Sequence, residues 1–273
     1  MQKFLLTLLI TLMSFSLFAE EKKEKWISMF NGKDLTGWEV FVRGQKSLED
    51  SQKYFQVHEG NMHFYKDVDP NEKVEWAVVQ NKIDYSHYKL RFEYKWGEKR
   101  FAPRKTVKRD SGLLIHCHEK DREKWRSKAW PISIECQIQE TDVGDLHLVG
   151  TKATVNVCGE LFKRDKGEFP RFSRSSGQKL ERVKRVLAEH QYDELYKWNK
   201  IEAIVTGTTA AFYCNENLVM EVTDMKKPVG ESWVPLSQGK IALQCEGAEV
   251  MYRNIEILPL SKDINNKKDL TKK

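Results

Sequence analysis

The sequence predicts an all-β protein, a sandwich of two antiparallel sheets, on three observations. From Ile132 to Gln139 the chain alternates strictly, with Ile132, Ile134, Cys136 and Ile138 on one side and Ser133, Glu135, Gln137 and Gln139 on the other. Tyr88 to Trp96 alternates in the same way, Leu90, Phe92, Tyr94 and Trp96 against Lys89, Arg91, Glu93 and Lys95. A period of two marks a strand with one face in a core. Strand-sized runs of this kind recur along the chain with turn residues between them, and that regularity is the mark of a sandwich.

The elements follow in chain order. Lys3, the apolar run Phe4–Leu12 and the stretch Ser14–Ala19 read as an export signal over residues 1–19, cut before Glu20. The mature protein is therefore expected to be periplasmic or secreted. A membrane anchor would need about 20 apolar residues, and the charged run Glu20–Lys25 follows too soon. No span is expected after cleavage.

Val57-His-Glu-Gly-Asn-Met62 reads as a hairpin. In the next strand, Leu114, His116 and His118 are expected to point opposite to Leu113, Ile115 and Cys117. Leu180, Val183, Val186 and Leu187 then fall at helical spacing. They predict a short helix over 180–190, inside a long insertion running from Gly159 to about Tyr196. Ile201–Thr206 and Ala211–Tyr213 lead through Asn215-Glu-Asn217 to Leu218–Val222, again as a hairpin. Gly239–Cys245 and Val250–Leu258 are expected to close the sheet as a pair, turning at Glu246-Gly247. One domain over residues 26–260 suffices, since sandwiches of roughly 200–250 residues commonly form a single unit. Residues 261–273 are a lysine-rich tail expected to be disordered.

The formal charge of +6 says little about partners, because Lys3 leaves with the signal and the tail holds much of the excess. The densest basic stretch, Lys99-Arg100 with Arg104, Lys105, Lys108 and Arg109, has no nucleic-acid fold signature beside it. It reads as a solvated loop, and no nucleic-acid partner is expected. The five cysteines include no C-x-x-C spacing, so a zinc–thiolate site is not expected either. Cys136 and Cys245 sit at strand spacing among apolar residues and read as small core side chains.

A series of motifs runs through the chain in order. It opens with Met29-Phe-Asn-Gly-Lys-Asp-Leu-Thr-Gly-Trp38 and Asp110-Ser-Gly-Leu-Leu-Ile-His116. Trp130-Pro-Ile-Ser-Ile-Glu-Cys-Gln-Ile-Gln139 follows and leads to Gly144-Asp-Leu-His-Leu-Val-Gly150. Gly239-Lys-Ile-Ala-Leu-Gln-Cys-Glu-Gly247 and Tyr252-Arg-Asn-Ile255 complete it. This series closely resembles the 3-keto-disaccharide hydrolase domain family, from about Trp26 to Leu260. The resemblance implies a concanavalin A-like jelly-roll. It also implies a carbohydrate-active enzyme that cleaves disaccharides or glycosides carrying a ketone at C3.

The candidate site is the polar face of these strands. Glu135 on a rigid strand can act as a base or bind a cation, and Gln137 beside it can hold a sugar hydroxyl. Gln244 and Glu246 share the polar face of a neighbouring strand, and Lys95 could enter from the same sheet. His116 lies where the resemblance places site residues; His118 fits an exposed imidazole at a strand end. Trp130, at a strand mouth, is a stacking candidate. Arg253 suits substrate binding or an ion pair with Glu93 or Glu256. Asp145 and His147 could face the site or cap a loop. With His116 and Glu135 they are donors that suit a divalent metal ion, calcium, manganese or zinc according to geometry.

A bulge would add Glu140 to the face, and Glu135-x-Gln137-x-x-Glu140 then looks like an altered form of the retaining β-glucanase motif. Those enzymes hold two carboxyl groups about 5–5.5 Å apart, with an aspartate where this chain has Gln137. Ordinary glucanase chemistry is therefore not expected. A C3 ketone removes the need for it, because it acidifies the C2 proton. Glu135 or His116 would be the base or a metal ligand, with Gln137, Gln244 and Arg253 positioning the sugar. Elimination alone makes a lyase; water added afterwards makes a hydrolase. The competing expectation is a lectin-like module that binds the same sugars without cutting them.

Overall fold

The computed structural model describes residues 25–44, 53–118, 130–181 and 184–260. The export signal and the basic tail lie outside the described residues. The described chain is all-β, with no helix. Its strands are β1 (Ile27–Ser28), β2 (Trp38–Val42), β3 (Phe55–His58), β4 (Asn61–Phe64), β5 (Ala77–Asn81), β6 (His87–Arg100) and β7 (Asp110–His118). Next come β8 (Ile132–Gln139), β9 (Leu146–Val149), β10 (Lys152–Arg164), β11 (Gly167–Phe172), β12 (Lys179–Glu181) and β13 (Arg185–Val186). The last are β14 (Asn199–Thr206), β15 (Thr209–Cys214), β16 (Asn217–Val229), β17 (Ser232–Pro235), β18 (Lys240–Cys245) and β19 (Ala248–Pro259).

Two antiparallel sheets form the jelly-roll. The larger runs β11-β10-β16-β15-β14-β6-β19-β4-β3, and the smaller, seven-stranded sheet runs β13-β9-β8-β7-β18-β5-β2. Alternation predicts the core. Phe92, Tyr94, Ile115, Ile134, Ile138, Leu243 and Ile255 all lie buried in one cluster between the sheets. Burial of this apolar area, worth about 25 cal/mol per Å², holds the layers together. Ser111 on β7 bonds across them to the Tyr252 hydroxyl on β19. Cys136 and Cys245 are buried in the same cluster.

The predicted hairpins form: β3 and β4 pair around Glu59-Gly60, and β15 and β16 around Asn215-Glu216, all four residues at positive φ. Two expectations need correction. β18 and β19 do not pair. β18 joins the small sheet between β5 and β7, β19 joins the large one, and Glu246-Gly247 carries the chain from one sheet to the other.

The helix over 180–190 is absent from the described part of that stretch. Leu180 pairs with Val155, Val186 with Leu146, and Leu187 bridges to Arg171, so the helical spacing serves three different neighbours. Val183 lies outside the described residues. Among the described residues no helix is long and apolar enough to cross a membrane.

A candidate active site on the outer face of the small sheet

With Ile134, Cys136 and Ile138 facing the core, Glu135, Gln137 and Gln139 must face outward from the seven-stranded sheet. Their neighbours follow from register. Asp110 lies opposite Gln139, Gly112 opposite Gln137 and Leu114 opposite Glu135. On the other side Glu135 faces His147, which puts the two side chains about 4.5–5.5 Å apart at Cβ. Asp110, Glu135, Gln137, Gln139 and His147 line a cleft of about 860 Å³ together with Arg104, Trp130 and Glu246.

The polar groups are tightly arranged. Asp110 accepts from Gln137 Nε2 at 3.0 Å and Gln139 Nε2 at 2.8 Å, and from Arg104. Arg104 also reaches Glu246 at 3.5 Å. Burial raises Asp110, while the Arg104 charge and the Gln139 amide favour its charged form. Burial, and then the Asp110 charge, push Glu246 well above the usual carboxyl range. The same two causes lift Glu135 to about 8. His147 is lowered to about 4, by burial first and then by the Arg185 guanidinium. At neutral pH Glu135 is therefore largely protonated and His147 is a neutral imidazole.

Gly112 makes the closest contact of this arrangement possible. A Cβ there would lie 2.5 Å from Gln244 Oε1 and 2.6 Å from Glu135 Oε1. Glycine on the middle strand thus lets side chains from β8 and β18 meet above it. Oε1 of Gln137 and Nε2 of His147 are buried without a hydrogen-bond partner among the described residues. Each such group costs about 1–3 kcal/mol, which a ligand rich in hydroxyls would recover.

Glu135, Gln137, Gln244 and Glu246 come together on the face that strand phase predicts, with Trp130 beside them, and His147, which the sequence left between facing the site and capping a loop, faces Glu135. Others do not. His116 points into the inter-sheet core, where its Nε2 meets the Gly207 carbonyl at 2.8 Å and its ring meets Tyr88 edge-on. The cause is a bulge in β7: His116 has φ 52°, and the register slips between Ile115 and His118. One extra residue inverts the faces beyond it. Cys117 accordingly joins Leu114 on the outer face.

Lys95 lies on the outer face of the large sheet, beside Tyr196 and Glu249, because β6 belongs to that sheet. Arg253 lies there too, paired with Glu93 at 2.6 Å and stacked on Trp198. Asp145 is bound by Arg185 at 2.8 Å and by the Ala188 amide, beneath the cleft. Glu140 turns away to Arg100 and Arg109. Among the described residues no three His, Cys, Asp or Glu side chains converge as a metal-binding set.

Sequence reasoning missed Asp110, Gln139, Arg104 and Arg185. Gln139 was visible in the alternation of β8. Arg104 sat inside the basic stretch read as a solvated loop, and nothing in its spacing distinguishes it from Lys105.

Comparison with known proteins adds to this geometry. The model of one family, the 3-keto-alpha-glucoside-1,2-lyase-like domain, matches residues 25–258. Among solved structures, a proposed glycosyl hydrolase from Parabacteroides distasonis aligns at 18% identity over 90% of this chain and 98% of its own, with a TM-score of 0.51. A second from the same species aligns at 18% over 86% of this chain and 100% of its own, with a TM-score of 0.49. A Bacillus licheniformis β-glucanase aligns at 9% over 86% and 97%, with a TM-score of 0.44. The first of these likenesses shows a shared fold. No curated protein matches the chain.

Proposed function

The chain belongs to the 3-keto-alpha-glucoside-1,2-lyase-like domain family, and from that premise we propose that it cleaves glycosides already oxidised to a ketone at C3. The observation that carries the reading is Glu135, a buried carboxyl lifted to about 8 that faces His147 across one strand ladder. A carboxylate of that basicity is matched to removing a proton next to a carbonyl near neutral pH.

In this reading Glu135 takes the C2 proton, and the electron pair of that C–H bond moves into an enolate. Neutral His147 donates a hydrogen bond to the ketone oxygen as charge builds there, a division of labour known for carboxylate–imidazole pairs in enolisation. The enolate collapses, the C1–O bond breaks with its electrons, and Glu246 in its protonated form gives the leaving oxygen its proton. Gln137 and Gln244 hold sugar hydroxyls. Water added across the resulting double bond completes a net hydrolysis; release before that step makes the protein a lyase. Export by residues 1–19 belongs to the same proposal and would set the reaction outside the cytoplasm.

Incubation with methyl 3-keto-glucoside and with unoxidised methyl glucoside tests it, with products followed by NMR. Turnover of the keto-glycoside alone is expected. Parallel runs with a chelator report whether a divalent ion takes part. Sugar binding without turnover of any keto-glycoside would mark a binding module and overturn the reading.

A further inference from the structure

A second hollow adjoins the cleft. It measures about 420 Å³ and is lined by Arg43, Lys73, Glu75, Trp76 and Pro103. Neighbouring residues line the two spaces at two places. Arg104 lines the cleft and Pro103 the hollow, while Trp130 lines the cleft and Trp76 the hollow. The two indoles are stacked, their centroids 5.9 Å apart and their planes within 9°. Both rise from the outer face of the small sheet. Ala77 and Val79 of β5 face the core, so Val78 and the preceding Trp76 face outward, and Trp130 packs on Val78, Leu114 and Ala242.

The groups in the hollow suit a neutral polyol. Arg43 lies over the Trp76 ring at 4.9 Å from its centroid, and its backbone amide bonds to the Trp76 carbonyl. A guanidinium placed over an indole still presents N–H donors around its edge. Lys73 adds a donor and Glu75 an acceptor, 4.0 Å from each other. Hydroxyl groups both donate and accept, so they can use all three. An anionic ligand would meet the Glu75 carboxylate.

We propose that this hollow is a second sugar subsite, which receives the leaving-group side of a substrate whose oxidised ring occupies the cleft. The proposal rests on the keto-glycoside reading and extends it to a substrate class: oligosaccharides of at least two rings rather than glycosides of small alcohols. The stacked indoles form the divide that the chain crosses, and Arg43 fixes the ring beyond.

The test compares wild type, Arg43→Ala and Trp76→Phe on methyl 3-keto-glucoside and on 3-keto trisaccharides, α- and β-linked, oxidised on the non-reducing ring. The ratio of kcat/KM for trisaccharide over methyl glycoside should fall about tenfold or more in Arg43→Ala, the usual effect of losing a hydrogen bond from a charged group. Trp76→Phe, which keeps a ring, should lower it less. An unchanged ratio in Arg43→Ala, with a melting temperature like wild type, overturns the subsite.

A binding arm separates this result from failure of the chemistry. Calorimetry with unoxidised maltotriose and cellotriose needs no turnover. Trisaccharide binding that weakens in Arg43→Ala, with no keto-glycoside cleaved, would refute the activity and keep the subsite. Absence of both binding and turnover would refute both.

Discussion

Glu135 is held protonated at neutral pH by burial and by the charge of Asp110, so Glu135→Gln should move activity and stability in opposite directions. Turnover should fall about 10²-fold or more, because an amide cannot take the C2 proton. Stability should rise at alkaline pH. The folded value stands above the ordinary carboxyl value, so the folded state binds the extra proton from about pH 4.5 to about 8, and stability falls as pH rises through that window. The amide escapes this loss, so the variant should melt higher than wild type at pH 9, by an amount on the order of a few kcal/mol. For the same reason kcat/KM should rise with pH toward an apparent value near 8 in wild type. A flat profile would exclude Glu135 as the base. Gly112→Ala tests the neighbouring contact. Its Cβ would force Gln244 and Glu135 apart, costing about 1–3 kcal/mol of stability and lowering turnover. Single residues on straight strands were legible in the sequence: Glu135, Gln137, Gln244 and Glu246 needed only the period of two. Arg104 was not, because a loop has no period from which to read direction.

Elements were legible where the backbone is regular. β6 and β8 bury the faces their alternation predicts. β7 does so only as far as Ile115, where a left-handed residue that is not glycine inverts the phase. No residue type near His116 announces that bulge. Its consequence is measurable: His116→Ala should lower the melting temperature by the equivalent of about 2–4 kcal/mol, through a lost buried contact and hydrogen bond. The pH dependence of turnover should stay as in wild type, since the imidazole lies on the core side of the sheet. A changed pH profile with an unchanged melting temperature would return His116 to the chemistry. The stretch 180–190 failed for a related reason. Short apolar spacing cannot separate one helix from strand segments that bury successive residues against β9, β10 and β11.

The whole molecule presents two outer faces, and alternation alone cannot say which sheet a strand joins. That is why Lys95 and Arg253, polar residues on well-read strands, stand on the face opposite the cleft. Lys95→Ala and Arg253→Ala should therefore leave kcat/KM within about twofold of wild type, in the manner of surface substitutions remote from a site. A large loss in either would place a functional surface on the larger sheet. If cleavage begins with removal of the C2 proton by Glu135, substrate deuterated at C2 reports that step. Wild-type enzyme should cleave the C2-deuterated 3-keto-glucoside more slowly than the protiated one. Unreacted substrate recovered from deuterated solvent should gain label at C2 with wild type but not with Glu135→Gln. Equal rates for the two isotopologues, with no exchange at C2 and full cleavage, would rule out proton removal at C2 by Glu135.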